Sequence, residues 1–418
     1  GEKLILIAEG VKTRMLKDET GNFVMRNQNY TAAYTYSIED AENPRLLGTV
    51  RVDGTYHTSR KNGDYLYVLT DYFPVIENCE EDSLFIPLAN GEELAADDML
   101  IAPKMLTGNS LVAVSIDLAN PEEIKDRKAL VGISDLIYVS ENSIYVTQQD
   151  WTANRTSTNI MKFTYKKGML EGAGAGTVPG YLNDGFSMNE YQGFLRVVST
   201  SWDGVNKNGL YVLDETMNTV GRVENLAEGE EIYSSRFLGD MGYFVTFRNM
   251  DPLFSVDLSD PKNPTVLDEL KITGFSEYLH FWGENKLLGI GKEADPQDGT
   301  ITGVKLSMFD ISDARDVREE AKLVIEGEWL SCPGVDNYKA ILADVRKNLI
   351  GLAVENEYRV YSYSEERGFE LRMCEELTGN NWEARGVYVK NRFYLADEGH
   401  IVDFDMDQDF KKRKELYF

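Results

Sequence analysis

The stretch "DPLFSVDLSDPKNPTVLDEL", residues 251–270, decides the fold. It reads as an apolar strand-like run, a cluster of Asp, Ser, Asn and Pro, and a second strand-like run. Asp251, Asp257, Asp260 and Asp268 crowd around its prolines. A calcium loop would place oxygen ligands at alternate positions with a glycine at the bend, and this stretch does neither. Asp, Ser and Asn side chains bond nearby backbone, and Pro pre-sets φ. The acids therefore read as turn punctuation between two strands.

The phrase recurs along the chain. "YTYSIEDAENPRLLGTV", "VAVSIDLANPEEI", "LYVLDETMNTVGRV" and "LSMFDISDARDV" share its arrangement, and Ser37, Asp117, Asp257 and Asp310 fall in one column. Asp214 and Asp257 lie 43 residues apart; Asp257 and Asp310 lie 53 apart, the longer interval carrying "EADPQDGTIT". A second phrase alternates with the first: "TYHTSRKNGDYLYVLT", "DLIYVSENSIYVTQ", "IYSSRFLGDMGYFVTF", "EYLHFWGENKLLGIG" and "GVYVKNRFYLADEG" each read as strand, tight turn, strand. One unit is thus four strands, here called a, b, c and d from the inside outward. A period of ~40–50 residues with four strands per unit is the mark of a β-propeller. No long stretch keeps a helical 3.6 period. Complete units begin near residues 56, 135, 185, 231, 275, 337 and 383, and a partial unit holding b, c and d precedes them. The expected fold is all-β: a β-propeller of four-stranded antiparallel blades, about eight of them, with seven plus an N-terminal ribbon as the alternative. Residues 1–418 are expected to form one such domain.

Composition agrees. There are 23 Tyr, 18 Phe and 35 Gly but only 11 Pro, which suits short strands joined by tight turns. The formal net charge of -27 opposes nucleic acid and anionic membrane surfaces, so no nucleic-acid partner is expected. Cys79, Cys332 and Cys374 are too sparse for a disulfide framework and show no zinc-ligand spacing. No apolar run reaches the length of a membrane-spanning helix. The chain opens on the strand-like "GEKLILIAEG", and a signal or anchor segment is expected to lie outside it.

Three phrases carry a resemblance: "YLNDGFSMNEYQGFLRVVSTSW", "ENLAEGEEIYSSRFLGDMGYFVTFRNMDPLFSVDLSDPKNP" and "GFSEYLHFWGENKLLGIGKEAD". They resemble the prokaryotic secreted β-propeller-domain family, distantly related to WD repeats, over residues 30 to 400. The resemblance implies a propeller that is secreted or attached to the cell envelope, and it brings no known reaction or catalytic residues.

Two columns of the repeat stop repeating. Near the a–b turn, one position reads Arg60, Tyr138, Glu190, Arg236, His280, Asp344 and Val387. These residues either neutralise each other between blades or line a site for a polar ligand. The far ends of the b strands read Tyr72, Asp150, Trp202, Arg248, Lys292 and Asn356, with Tyr233, Glu277 and Tyr278 entering the inner strands from the same side. They either cap blade interfaces or form a surface on which sugars stack and peptides anchor. The candidate ligand-binding residues are Arg60, Glu190, Trp202, Arg236, Arg248, Tyr278, His280 and Lys292.

Residues 72–108 form an acidic insertion in a b–c connection, in which Glu77, Glu80, Glu81, Asp82, Glu92, Glu93, Asp97 and Asp98 face one Lys104. It is expected to lid the channel or dock a partner, with its apolar tags packed down. "GAGAGTVPG" (172–180) lacks the following helix that a phosphate loop needs and reads as an outer strand or turn. No HExxH, Walker A or GxSxG pattern occurs, so no catalytic residue, metal or cofactor is assigned. Glu277 and His280, three apart in a strand, point to opposite faces. The chain reads as a monomeric extracytoplasmic binding or scaffold module for a protein, peptide or glycan. The alternative is a hydrolase or lyase acting in the channel on a polysaccharide or peptide through Glu190, His280 and Asp344.

Overall fold

Asp251–Asp257 and Thr265–Ile272 are antiparallel strands, and the acids between them hold the turn. The Asp257 carboxylate accepts from the Ser259 amide at 2.8 Å, and that of Asp260 from the Lys262 amide at 3.0 Å and from Asn263 Nδ2 at 2.8 Å. Asp40, Asp117, Asp214 and Asp310 bind the backbone of their own turns in the same way. Asp268 does something else: its Oδ2 accepts from the Val317 amide of the next sheet at 2.8 Å. Asp126 makes the equivalent bond to the Leu170 amide at 2.7 Å. The c-strand serines Ser115 and Ser255 likewise donate to carbonyls of the following c–d turn, at Gly168 and Ala314. The recurring phrase thus carries both the turn and a staple to the next sheet.

The computed structural model of the protein describes residues 2–17, 23–74, 85–102, 105, 107–132, 135–151, 156–247 and 251–418. Among these residues the strands form eight sheets. The first holds Lys3–Lys17, Phe23–Ser37 and Arg45–Asp53. The second holds Thr55–Asn62, Tyr65–Tyr72, Ser110–Asp117 and Ile124–Val131. The third holds Ile137–Val139, Ser143–Asp150, Ser157–Lys166 and Met169–Pro179, whose outer strand contains the glycine run of 172–176. The fourth holds Met188–Tyr191, Phe194–Trp202, Asn206–Leu213 and Thr219–Leu226, and the fifth Glu231–Leu238, Met241–Phe247, Asp251–Asp257 and Thr265–Ile272. The sixth holds Phe275–Phe281, Lys286–Ala294, Ile301–Asp310 and Arg318–Glu326. The seventh holds Leu342–Asp344, Leu349–Val354, Glu357–Ser364 and Gly368–Glu376, and the eighth Arg385–Val389, Arg392–Asp397, His400–Asp405 and Lys411–Tyr417. Sheets two to eight are the seven complete units, and the first is the partial one, so eight sheets are present rather than seven and a ribbon.

The middle strands are buried on both faces and read as continuous apolar runs. Leu349–Val354 is buried throughout, whereas the outermost strand Lys411–Tyr417 is exposed throughout. Core clusters lie between consecutive sheets: Leu288, Ile290 and Met308 of the sixth pack with Ile350, Leu352 and Tyr361 of the seventh. By contact density the chain divides into two compact units. One is Gly1–Tyr181 with Gln192–Leu195 and Leu213–Thr219; the other is Leu182–Tyr191 with Arg196–Val212 and Val220–Phe418.

The acidic insertion is not a lid where it is described. Leu88–Ala89 and Glu92–Glu93 form a short hairpin on the edge of the first sheet, and Met99–Ile101 adds in parallel to the edge of the second. Leu94 and Ala102 are buried, and Asp98 pairs with Lys128 at 2.6 Å. The segment is a strap over two outer edges, held by Ile86 and Ala89 of the apolar stretch "SLFIPLA" together with Leu94 and Ala102, while Phe73 and Phe85 stay exposed. Glu77, Glu80, Glu81, Asp82, Cys79 and Lys104 lie outside the described residues.

Candidate functional site

The inner strands of the second, fifth and sixth sheets share an irregularity. Each has a β-bulge near its start, between Tyr56 and Thr58, Ile232 and Ser234, and Ser276 and Tyr278. A bulge inserts one unpaired residue and re-aims the side chains after it. The inserted residues are His57, Tyr233 and Glu277, and each meets the end of its neighbouring b strand. His57 Nδ1 lies 2.7 Å from Asp71 Oδ2, the Tyr233 ring is 5.7 Å from that of Phe247, and Glu277 Oε1 is 3.5 Å from Lys292 Nζ. Gly54 and Gly274 precede the first and third of these bulges with positive φ, where a Cβ would strike the carbonyl of Asp71 or Lys292. Only glycine admits that approach.

The bulges set the register of the residues beyond them. Arg60, Arg236 and His280 pair with Tyr67, Tyr243 and Leu288, and each lies three residues past its inserted residue. The inner column therefore holds for these three. It slips at Asp344, which pairs with Leu349 at the very end of its strand. The b-strand column slips too. Asp71 and Phe247, not Tyr72 and Arg248, occupy the place of Lys292, because they pair with Thr55 and Glu231 as Lys292 pairs with Phe275.

The second compact unit brings Arg236, Tyr278 and His280 together. Arg236 Cζ sits 3.3 Å from the centre of the Phe186 ring and 4.7 Å from that of Tyr278. Tyr338 closes the group: it is edge-on to Phe186 at 4.8 Å and parallel to Tyr278 at 6.4 Å. The guanidinium lies among rings whose negative faces attract it. Its Nη1 donates to the Ser235 carbonyl at 2.7 Å, while Nη2 is shut off from solvent and bonds to no described residue. Phe186 is held in place by its own carbonyl, which accepts from Ser235 Oγ at 2.8 Å. It belongs to a turn capped by Asp184, whose carboxylate accepts from the Phe186 and Ser187 amides at 2.9 and 3.1 Å. Asn183 Nδ2 ties the turn to the Tyr233 carbonyl at 2.6 Å.

Charge in this cluster is strained by burial. Burial pushes the Arg236 guanidinium below its usual range, against the pull of Tyr278 and Asp184. Burial raises the Asp184 carboxyl, which Arg236 and the two backbone donors pull back. Tyr278 is raised, again by burial first, and His280 is lowered by burial and by the Arg236 charge, with Asp344 acting in the opposite sense. Tyr278 Oη and His280 Nδ1 are hydrogen-bonded at 3.0 Å, the imidazole tautomer deciding which of them donates. Tyr278 and His280 are two apart on the regular part of the strand beyond the bulge, so alternation puts them on one face.

The other predicted residues stand apart from this cluster or within other contacts. Arg60, in the first compact unit, turns its Nη1 back onto Thr58 Oγ1 and the Ser59 carbonyl, at 3.0 and 2.8 Å. Lys292 is engaged by Glu277, whose carboxyl burial pushes up and whose Oε2 bonds to no described residue. Glu190 is half-buried on the short inner strand of the fourth sheet, and Trp202 ends the next strand, 47% exposed. Arg248 lies outside the described residues. Asp344 is committed: burial pushes its carboxyl up, but bonds from Tyr388, Arg346 and the Lys347 amide outweigh this and hold it at about 2. That carboxylate is a paired anion, not a proton donor. Phe186, Asp184 and Tyr338 were missed by the repeat because they sit in connections ahead of short inner strands. The only signals were the phrases "YLNDGFS" and "CPGVDNYKA" themselves.

Eight antiparallel sheets in a four-strand repeat, with polar and aromatic side chains gathered on inner strands, define a protein of the β-propeller class. Sequence comparison gives the family: the chain belongs to the "Beta propeller domain" family, whose pattern matches residues 1–408. An uncharacterized protein of Archaeoglobus fulgidus is 36% identical over 270 residues, 63% of this chain and 40% of that protein. The uncharacterized protein MJ1554 of Methanocaldococcus jannaschii is 36% identical over 244 residues, 57% of this chain and 38% of that protein. The matched chain thus spans about two fifths of the length of these relatives. Among solved structures, the periplasmic gluconolactonase PpgL of Pseudomonas aeruginosa is similar with a TM-score of 0.46 at 9% identity, covering 73% of this chain and 92% of that one. The WD40 domain of Toxoplasma gondii coronin gives a TM-score of 0.42 at 9% identity, covering 68% and 70%. At these scores the likeness carries no argument about activity. No helix among the described residues is long and apolar enough to cross a membrane.

Proposed function

We propose that the chain is an extracytoplasmic binding module, and that Arg236 with Phe186, Tyr278 and Tyr338 receives a carboxylate or carbonyl oxygen of a peptide, protein or polysaccharide ligand. The propeller fold supports a binding or scaffold role in general. One observation carries the finer reading: Arg236 Nη2 is buried without a hydrogen-bond partner among the described residues, although the guanidinium as a whole also interacts with Tyr278, and its plane is held between rings. A donor left unpaired in a dry place costs free energy, and an incoming oxygen atom supplies the missing bond. His280, whose hold on a proton is weakened by burial and the nearby cation, adds a second polar contact. Arg60, Glu190, Trp202, Arg248 and Lys292 belong to the wider surface of this proposal. The resemblance to secreted propellers supports the extracytoplasmic placement, and the family match over residues 1–408 supports reading the chain as a propeller module. Catalysis finds less support, because Asp344 is paired and His280 is tied to Tyr278.

The test is a screen of short peptides and oligosaccharides by thermal shift, repeated with R236A and R236K. Binding seen in the wild type is expected to fall about tenfold or more in both variants, since lysine lacks the planar guanidinium. Undiminished binding in R236A would place the site elsewhere.

A further inference from the structure

Four of the five tryptophans are on the surface. Trp151, Trp202, Trp329 and Trp382 are 62%, 47%, 80% and 46% exposed, whereas Trp282 is 8% exposed. Tryptophan is ordinarily well buried on average. The exposed four share a location within their own sheets. Trp151 follows the b strand Ser143–Asp150, Trp202 ends the b strand Phe194–Trp202, Trp329 follows the d strand Arg318–Glu326, and Trp382 follows the d strand Gly368–Glu376. In this antiparallel repeat, b ends and d ends lie on one side of a sheet. The buried Trp282 follows the a strand Phe275–Phe281, at the other end.

Trp329 and Trp382 stand on loops that are bonded to each other. Asn381 Nδ2 donates to Ser331 Oγ at 2.9 Å. The Ser331 amide donates to Glu355 Oε1 at 2.5 Å, and the Glu355 amide to the Ser331 carbonyl at 2.8 Å. Asn380 caps the turn that carries Trp382 through the Trp382 amide at 3.1 Å, and Arg385 Nη1 binds the Trp382 carbonyl at 2.8 Å. Leu330 packs onto the core between the sixth and seventh sheets. Its neighbour Trp329 has φ of 57°, in the left-handed region that bulky residues avoid. This backbone places Leu330 in the core and leaves the Trp329 ring in water.

We propose that Trp329 and Trp382 form a stacking platform for a neutral polysaccharide. Indole faces receive the C–H faces of sugar rings as they receive other apolar surfaces with a polar rim. Ser331 lies two residues from Trp329 and Asn381 next to Trp382, and with the Glu355 to which Ser331 is bonded they offer hydroxyl, amide and carboxylate groups for sugar hydroxyls. The net charge of -27, with Glu328 and Glu383 flanking the indoles, opposes a polyanion. A protein-binding tryptophan would sit within an apolar surround that excludes water, and these flanks are acidic. Because the loops are already bonded together, little ordering is needed on binding. The proposal rests on the chain's being a binding module but not on Arg236.

The test is affinity gel electrophoresis of the 418-residue chain in gels cast with mannan, β-glucan, arabinoxylan or dextran. At least one polymer is expected to retard the wild type, with little dependence on salt. W329G and W382A are each expected to weaken retardation about tenfold, the double variant to abolish it, and D98N, in the strap ion pair with Lys128, to leave it unchanged. Glycine suits the backbone at 329, so W329G is expected to melt no lower than the wild type. No retardation in any gel overturns the proposal, as does retardation that survives the double variant. Loss in R236A alone moves the glycan to the Arg236 cluster and leaves the binding-module reading standing. A markedly lower melting temperature for W329G overturns it as well, since the ring would then serve the fold. Loss in W329G of protein capture, with no polysaccharide bound, overturns the sugar assignment.

Discussion

Two side chains show how differently a polar group behaves when its bonds are complete. Asp268 accepts from the Glu269 amide at 2.9 Å and from the Val317 amide of the next sheet at 2.8 Å. D268A leaves the Val317 amide without its acceptor, and urea denaturation is expected to show a loss of about 1.5–3 kcal/mol, the range for a bond to a charged partner. D268N, which keeps one oxygen, is expected to lose less. Arg236 is the reverse case, with one nitrogen buried and without a partner among the described residues. Leaving such a donor dry costs about 1–3 kcal/mol, and the rings of Phe186 and Tyr278 return about 0.5–2 kcal/mol. R236M removes the charge while keeping an unbranched apolar stem. It is expected to be as stable as the wild type, or more stable by up to about 2 kcal/mol, while ligand binding is lost. If R236M were instead destabilised by more than this, the guanidinium would be serving the fold and the binding proposal would lose its main support.

At the scale of elements, the strap built from residues 88–101 and the bulged inner strands are the two departures from a plain repeat. Leu94 is 3% exposed in the core between the first two sheets. L94A is expected to cost about 2–4 kcal/mol by chemical denaturation, a loss that a mobile lid would not show. D98N is expected to cost under about 1 kcal/mol, because Asp98 and Lys128 are each 22% exposed and partly hydrated. The strap's burial was legible in its apolar tags, but its destination was not, since a two-residue hairpin against a distant edge leaves no periodic pattern. The blades were legible for the opposite reason: Asp257, Asp260 and Asn263 act on their own turn, and the sequence repeats that turn from unit to unit. The bulges were not, because Tyr233 or Glu277 inserted in a strand looks like one more residue of an alternating run. The hairpin that joins His280 to its partner Leu288 is one residue longer than the one that joins Arg236 to Tyr243, which is how Arg248 came to be aligned with Lys292 although Phe247 holds that place. Arg236 and His280 were found because both lie beyond their bulges at the same distance, so the error cancels between them.

The charge of the whole molecule governs how its stability responds to solution conditions. His280 is held below its usual value of 6.5 by burial and by Arg236. As pH falls through about 6.5, the unfolded chain takes up a proton that the folded chain refuses, so this residue's contribution to stability declines. H280Q at constant ionic strength is expected to flatten the stability curve between about pH 6.5 and 5 by at most one proton's slope. Against this local term stands the net charge of -27, from 70 acids and 43 bases. Pairs such as Lys412–Glu375 and Arg367–Glu370 account for some of the acids, and such exposed pairs contribute under about 1 kcal/mol each. The surplus acids have no basic partner to lose and repel one another across the surface. Salt shortens the reach of that repulsion from about 30 Å at 0.01 M to about 10 Å at 0.1 M. Scanning calorimetry at pH 7.5 is therefore expected to show the melting temperature rising by a few degrees from about 10 to 300 mM NaCl. Tetramethylammonium chloride should reproduce the rise, since screening is indifferent to the cation. A rise that required sodium would point to a cation site, and a fall with salt would mean that the ion pairs outweigh the repulsion.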